Sequence, residues 1–383
     1  MFGGYSKDIS KTYEIFDEGY RRNAIVYSCV MEIIKAVGCL QIDIYNKDKL
    51  VDNPDIEGKL SLSRGGLYRT GLLETMAAYY CLYGETFIHR RQAGTMVNGF
   101  DLWLPPSVVT NYTGNGTRYQ YGDKSYFVPV IEQRPEVGHL IGFAPFGRGI
   151  SPLDPIATDV DIRNEGKKWN FSLLKCGAKF DVVMRPKNDF IDQDSLNKIM
   201  AQIRTSLQGG GNAGGVKMFS APLEVTTINQ TARDMDFQQS MTESAYDICR
   251  VFGVPLPIVF NDASTYNNYR EAKEQFYINT VLPLAYRLLA FLNDWWLSKF
   301  HVGYELRINE ERIPALENKR ARMFTRLKEA VAGSILTPNE ARLEMGYEPI
   351  KTENADQLLV SRNTIPLDMA GDPSFDMSGG GGD

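Results

Sequence analysis

Phe143-Ala144-Pro145-Phe146-Gly147-Arg148-Gly149-Ile150-Ser151-Pro152-Leu153 is the stretch on which the reading of this chain turns. Its glycines make a tight turn. Serine caps free helix amides, and proline at a first helical position forfeits no hydrogen bond. The stretch therefore reads as a joint feeding a long helix that opens at Ser151-Pro152 and runs to Lys175. Two more joints follow in order. In Val251-Phe252-Gly253-Val254-Pro255-Leu256-Pro257, Gly253 ends a helix and Pro255 prevents its resumption. In Leu336-Thr337-Pro338-Asn339-Glu340-Ala341-Arg342, threonine at the cap, proline first and glutamate third form a capping box. No catalytic constellation lies between these joints. Well-defined joints without chemistry suggest a part of a larger assembly, not an enzyme.

The bulk properties agree. The chain has 383 residues, 43% hydrophobic and 23% charged, which allows two or three domains and a sizeable core. A net charge of −5 does not mark a nucleic-acid coat. It does not exclude DNA contact either, since a surface past which DNA slides should avoid tight phosphate clamps. The cysteines, Cys29, Cys39, Cys81, Cys176 and Cys249, are odd in number and none is paired at metal spacing. Cys29 and Cys81 fall in apolar helical patterns, and the set reads as belonging to a reducing compartment. No signal peptide and no membrane-length apolar run is expected.

Outward from the first joint, helical periodicity covers Asn23 to Val37 and Gly71 to Gly84, with strands at Leu40 to Tyr45 and Glu85 to Arg91. Short strands and turns fill Asp101 to Val130, broken at Pro105-Pro106 and Asn115-Gly116. Residues 1–20 read as a mobile arm and 21–150 as a mixed α/β domain. Within residues 179–233, a strand (Phe180 to Met184), a helix (Asp194 to Leu207), a glycine loop (Gly209 to Gly215) and two strands (Val216 to Phe219, Leu223 to Ile228) make a small separate unit. The glycine run reads as a surface hairpin tip. Asp236 to Phe252 is an amphipathic helix. A polar segment at 261–268 precedes a long helix from Tyr269 to Phe300, which Pro283 should kink. A basic helix spans Ala315 to Ala332, Gly346 closes the short helix after Thr337, and residues 366–383 read as a disordered tail.

Other motifs give way to plainer readings. Ser172 and Lys175 match a Ser-x-x-Lys spacing in which lysine could activate serine as a hydrolase nucleophile, but the companion elements of such enzymes are absent. His89, His139 and His301 are scattered, with His89 expected on an outward strand position, and no metal or cofactor is expected. Gly147-Arg148-Gly149 lacks a P-loop lysine and reads as a turn feeding a helix. Trp295-Trp296 reads as core or subunit interface. The helix carrying Lys319, Arg320, Arg322, Arg326 and Lys328 reads either as a phosphate-contacting face or as a solvated helix with pairs such as Glu317 with Arg320.

The three joints, in order and spacing, resemble the portal proteins of tailed bacteriophages, in their shorter siphovirus-type class. Further matches are Tyr83-Gly84-Glu85-Thr86-Phe87 (a helix stepping into a strand), His139-Leu140-Ile141 leading to Gly149 to Leu153, Leu282-Pro283 inside a long helix after a polar loop, and Thr337 to Arg342. The resemblance spans about residues 20–350. Glu85 departs from the asparagine common there, and a short C-terminal region implies a small crown.

The resemblance implies an α+β multi-domain fold assembled as a ring of about twelve subunits at one capsid vertex, the channel for DNA packaging and ejection. Residues 21–150 would be the wing, 151–178 and 234–253 the paired stem helices, and 179–233 a β-α-β clip. Residues 254–268 would be the tunnel-loop region, 269–310 the long kinked wing helix and 311–365 the crown. Asn261, Asp262, Ser264, Thr265, Tyr266, Asn267, Asn268 and Arg270 would face DNA weakly and without sequence preference. Lys187, Asp189, Asp192, Lys198, Arg204 and Lys217 would meet the terminase large subunit and later a head-completion or neck adaptor. Lys319, Arg320, Arg322, Arg326 and Lys328 would form the basic face of the crown. Other implied partners are sister copies and the major capsid protein or scaffold, with no membrane. The implied location is the virion, and the host cytoplasm during assembly. A Ser-Lys hydrolase, or another head-neck adaptor, is the alternative.

Overall fold

The computed structural model describes residues 15–61, 71–93, 96–131, 134–142, 148–175, 182–186, 223–227, 231–260 and 266–358. They fall into two units, one up to Asn309 and one from Glu310.

In the first unit, Asn23 caps α1 (Ala24–Gly38), its side-chain oxygen accepting from the amides of Ile25 and Val26. Val26, Cys29, Val30, Ile33 and Val37 recur at helical spacing on its buried side. Strands β1 (Ile42–Asn46) and β2 (Lys49–Leu50) follow, then α2 (Pro54–Ser61) and α3 (Leu72–Tyr83). Strands β3 (Glu85–Ala93), β4 (Met96–Trp103), β5 (Val108–Thr113), β6 (Gly116–Tyr121), β7 (Lys124–Pro129) and β8 (Val137–Ile141) come next. Two three-stranded antiparallel sheets result, in the orders β4-β3-β8 and β5-β6-β7. Helix α4 (Ala157–Lys175), the antiparallel pair β9 (Val182–Pro186) and β10 (Leu223–Thr227), and α5 (Thr231–Phe252) complete the middle of the chain. Helices α4 and α5 pack side by side. The sequence helix 194–207, the glycine loop and the strand at 216–219 lie outside the described residues.

Helix α6 runs over residues 266–300. Its α-helical segments Tyr266–Phe276, Leu282–Leu292 and Ser298–Phe300 are joined by π-helical turns at Tyr277–Val281 and Asn293–Leu297. Strand β11 (Tyr304–Ile308) returns to pair with β1, with Ile44 opposite Leu306. The core gathers the apolar sides of α1, α3, α5 and α6, with Trp296, Leu288 and Ile248 fully enclosed. In the second unit, α7 (Glu317–Ala332) and α8 (Pro338–Glu344) pack together.

Several expectations change. Residues 15–20 are not a free arm. Ile15–Arg21 is a helical turn whose Phe16 ring stacks on Tyr83 and whose Glu18 carbonyl accepts from Asn164. The helix expected to open at Ser151 starts at Ala157. With Ser151 as cap, residue 155 would have to supply the first intrahelical amide, and Pro155 has none. Ser151 instead caps a turn: its hydroxyl accepts from the Leu153 amide, and the Asp154 amide donates to its carbonyl. At Pro283 the backbone answers the missing amide with a widened turn, the Leu282 amide bonding Tyr277 five residues back. The first strand of the middle unit is described over Val182–Pro186, with Phe180 outside the described residues, and α5 begins at Thr231, five residues before Asp236. His89 is not outward. Its ring lies between Trp103 and Tyr126, at 5.1 and 4.8 Å, because the second sheet covers that side of β3.

Candidate functional site

The most highly constructed feature lies where α3 hands over to β3. Gly84 ends α3 with φ +72°, a left-handed conformation suited to glycine. A Cβ there would lie 2.1 Å from the Ile150 carbonyl oxygen, and one on Gly149 would lie 2.5 Å from the Gly84 oxygen. The two backbones are in contact, so both positions exclude side chains. Ser151 locks the approach, its hydroxyl donating to the Leu82 carbonyl at 2.6 Å.

Glu85 follows, with its side chain 1% exposed. Its carboxylate accepts from Arg148 Nε and Nη2 at 2.9 and 2.6 Å, from the Gly149 amide at 3.1 Å, and faces His139 Nε2 at 3.2 Å. Arg148 Nη1 also reaches the Val108 carbonyl at 2.9 Å and Nη2 that of Pro105 at 3.2 Å. One guanidinium thus ties the first sheet to the start of the second. Burial alone would push the Glu85 carboxyl up, but the His139 contact and the Arg148 ion pair outweigh it and hold its pKa below the usual carboxylate value. The described members of this cluster are a carboxylate, a guanidinium, an imidazole and a backbone amide, bonded to one another. Its chemistry is positional: it fixes the angle at which the chain leaves the sheets for α4. Sequence reasoning passed over Arg148 as turn filler and noted Glu85 only as a departure. The available signal was an acid at the head of an apolar strand, which requires a cation.

The expected site residues are dispersed. Asn261, Asp262, Ser264 and Thr265 lie outside the described residues, as do Lys187, Asp189, Asp192, Lys198, Arg204 and Lys217. Tyr266, Asn267 and Asn268, expected in the polar segment, are helical, as Arg270 was expected to be. They form the opening turns of α6, where Asn267, Asn268 and Arg270 are exposed. The end of the preceding loop is helical because Ala272 and Phe276 are buried at helical spacing. On α7, Lys319, Arg322, Arg326 and Lys328 are exposed, while Leu327 is buried. Arg320 is half-buried and reaches back to the Ile313 carbonyl. The Thr337 capping box is present: its hydroxyl accepts from the Glu340 amide at 3.2 Å and its amide donates to the Glu340 carboxylate at 2.8 Å. Ser172 is exposed on α4. Trp295 and Trp296 are buried in the core. Among the described residues no group of His, Cys, Asp or Glu could hold a metal, and no helix is long and apolar enough to cross a membrane.

The fold is an α/β body of small sheets, two adjacent helices carrying a two-stranded extension, and one long helix leading into the strand that pairs with β1. The profile of the phage portal protein family matches residues 24–346, and the chain belongs to that family. A portal protein of Escherichia phage T5 is 29% identical over 219 residues, 56% of this chain and 52% of that protein. An uncharacterized protein of Rickettsia felis is 24% identical over 364 residues, covering 91% of this chain and 92% of its own. Among solved structures, a chain from the neck of an empty gene transfer agent particle, computed with C6 symmetry, superposes with a TM-score of 0.69. It is 22% identical and covers 91% of this chain and 96% of its own. A portal protein of the HK97 family from Corynebacterium diphtheriae gives 0.56 at 13% identity, covering 82% and 100%. The fold is therefore the portal fold, and the protein is a structural component of phage type.

Proposed function

We propose that the chain forms a ring of about twelve copies at one vertex of a capsid and lines the channel through which DNA is packaged and ejected. The observation that carries this reading is the match over residues 24–346, joined to superposition on gene transfer agent necks, one of them computed with C12 symmetry. In this reading 21–150 with α6 is the wing, α4 and α5 the stem, and 179–233 the clip that meets the terminase large subunit and then a neck adaptor. The second unit is the crown. The side-by-side packing of α4 and α5 beneath a two-stranded extension supports the stem and clip assignments.

The segment ending in Asn267, Asn268 and Arg270 would face DNA. Exposed amides hydrogen-bond phosphate without the salt-dependent grip of a cation. Exposure of these three residues at the start of α6 supports this assignment.

The mass of the purified native protein tests the ring, and a large annular assembly of 43.1 kDa chains is expected. A compact monomer or dimer that persists at high concentration and does not assemble with capsid protein overturns it. Asn267→Arg with Asn268→Arg tests the channel: packaging should slow while rings still form. Unchanged packaging removes these residues from the channel.

A further inference from the structure

Three features of the first unit adjoin one another. Cys29 on α1 and Cys249 in the last turns of α5 are both buried, 220 residues apart in sequence, with their sulfurs 3.8 Å apart. Arg163 of α4 donates from Nη1 to the Met241 carbonyl, yet its Nε is buried without a hydrogen-bond partner among the described residues. An open cavity of about 360 Å³ is lined by Arg163, Ala245, Tyr246, Leu256, Pro257 and Phe260. Ala245 lies one helical turn before Cys249, so the cavity reaches the neighbourhood of the thiol pair.

We propose that Cys29 and Cys249 form a peroxide-sensitive dithiol that closes into a disulfide and staples α1 to the end of α5. A covalent bond of about 2.05 Å asks the sulfurs, 3.8 Å apart, to approach by less than about 2 Å. The chemistry is that of a nucleophilic thiolate beside a resolving thiol. The Cys249 thiolate attacks one oxygen of hydrogen peroxide, forming a sulfenic acid and, after protonation of the leaving hydroxide, one water. The Cys29 sulfur then attacks the sulfenic sulfur, its proton leaving with the displaced hydroxide as a second water. Two thiols and one peroxide give one disulfide and two waters.

The surroundings assign the two roles. The Cys29 thiol donates to Cys249, and that hydrogen bond, aided by the Arg163 guanidinium, lowers the Cys249 pKa against the opposing effect of burial. Cys29 shifts the other way, chiefly through the same hydrogen bond and then burial. Arg163, on the cavity wall, is the cation that acts on Cys249, which makes Cys249 the attacking sulfur and Cys29 the resolving one. The cavity beside Ala245 and Arg163 admits a molecule as small as peroxide to within one helical turn of Cys249, while burial pushes the Cys81 thiol up to about 12 and leaves it no thiolate to react.

The test uses the full chain in its native assembly. It is treated with hydrogen peroxide, alkylated after unfolding, and read by peptide mass spectrometry. The expected product is a Cys29–Cys249 linked peptide, with Cys81 still a free thiol and a higher melting temperature for the oxidised protein. In Cys29→Ser the reaction should stop at a Cys249 sulfenic acid that dimedone traps. Arg163→Gln should slow Cys249 oxidation by about tenfold. If both cysteines remain alkylatable while exposed Cys39 is oxidised, or if the link forms only in denaturant, the pair is merely packed and the proposal falls. Because the readout is covalent and internal to one chain, it is independent of whether the protein forms a ring.

Discussion

Replacing Arg148 with methionine tests whether the Glu85 cluster governs the joint. The substitution keeps much of the apolar stem and removes the charge. It leaves a carboxylate, with its side chain 1% exposed, facing only His139 and the Gly149 amide. Breaking one side of a buried pair costs about 3–5 kcal/mol, because the surviving charge is uncompensated. For a domain of this size that corresponds to a melting temperature lower by about 6–10 °C.

The pH dependence adds a second constraint. In the native protein the Glu85 pKa is held below its unfolded value. Its stabilising contribution is therefore complete above the unfolded pKa of about 4.3 and is lost as pH falls through the folded one. In Arg148→Met the ion pair is gone, burial dominates, and the carboxyl should titrate above its unfolded value. The variant then loses stability as pH rises, so the gap to the native protein should be widest near neutrality and narrow in acid. Thermal or urea unfolding between about pH 4 and 7 measures this. The double variant Arg148→Met with Glu85→Leu should recover part of the loss, since no lone charge remains. A gap under about 1 kcal/mol at neutral pH, the range of exposed pairs, would refute the reasoning. So would a gap that does not change with pH.

Three further outcomes follow from geometry. Gly84→Ala should destabilise by about 1–3 kcal/mol or more, because its Cβ would strike the Ile150 carbonyl at 2.1 Å. Gly122→Ala, equally left-handed at φ +58° but with open space around it, should cost only about 1 kcal/mol, and melting curves of the two should separate. Thr337→Ala should cost about 1 kcal/mol in the second unit by removing the α8 cap, readable as faster amide hydrogen exchange over residues 339–344. Trp296→Ala, at a fully buried position, should cost about 3–5 kcal/mol by urea unfolding.

What the sequence disclosed follows from which forces act locally. Gly84, Gly253 and Thr337 were legible because a left-handed cap or a capping box is decided within a few residues. The apolar sides of α1 and α5 were legible for the same reason, through their period. The late start of α4 was also written locally, in Pro155, but the Ser-Pro signal before it was the more conspicuous. His89 was misread because strand alternation says which side a residue faces, not whether a second sheet covers that side. The link from Glu85 to Arg148 spans 63 residues, and no local rule connects an acid at a strand head to an arginine between glycines. The opening of α6 was misplaced for a related reason: Tyr266, Asn267 and Asn268 look like loop, and only the burial of Ala272 and Phe276 makes them helix.

The widened turns of α6 bear on how this chain tolerates changes in length. One stripe of its enclosed positions runs Ala272, Phe276, Val281, Ala285, Leu288, Leu292 and Trp296, stepping by five across Tyr277–Val281. That segment holds one residue more than a regular helix needs to keep its stripe in phase. Removing one residue there restores a step of four and leaves both halves facing as before. The same removal within Leu282–Leu292 would rotate everything before it by about 100° and turn Phe276 out of the core. Pro283 sets the limit on that tolerance: in a regular turn its ring would meet the carbonyl four residues back, so a deletion here is accommodated only if the proline is replaced as well.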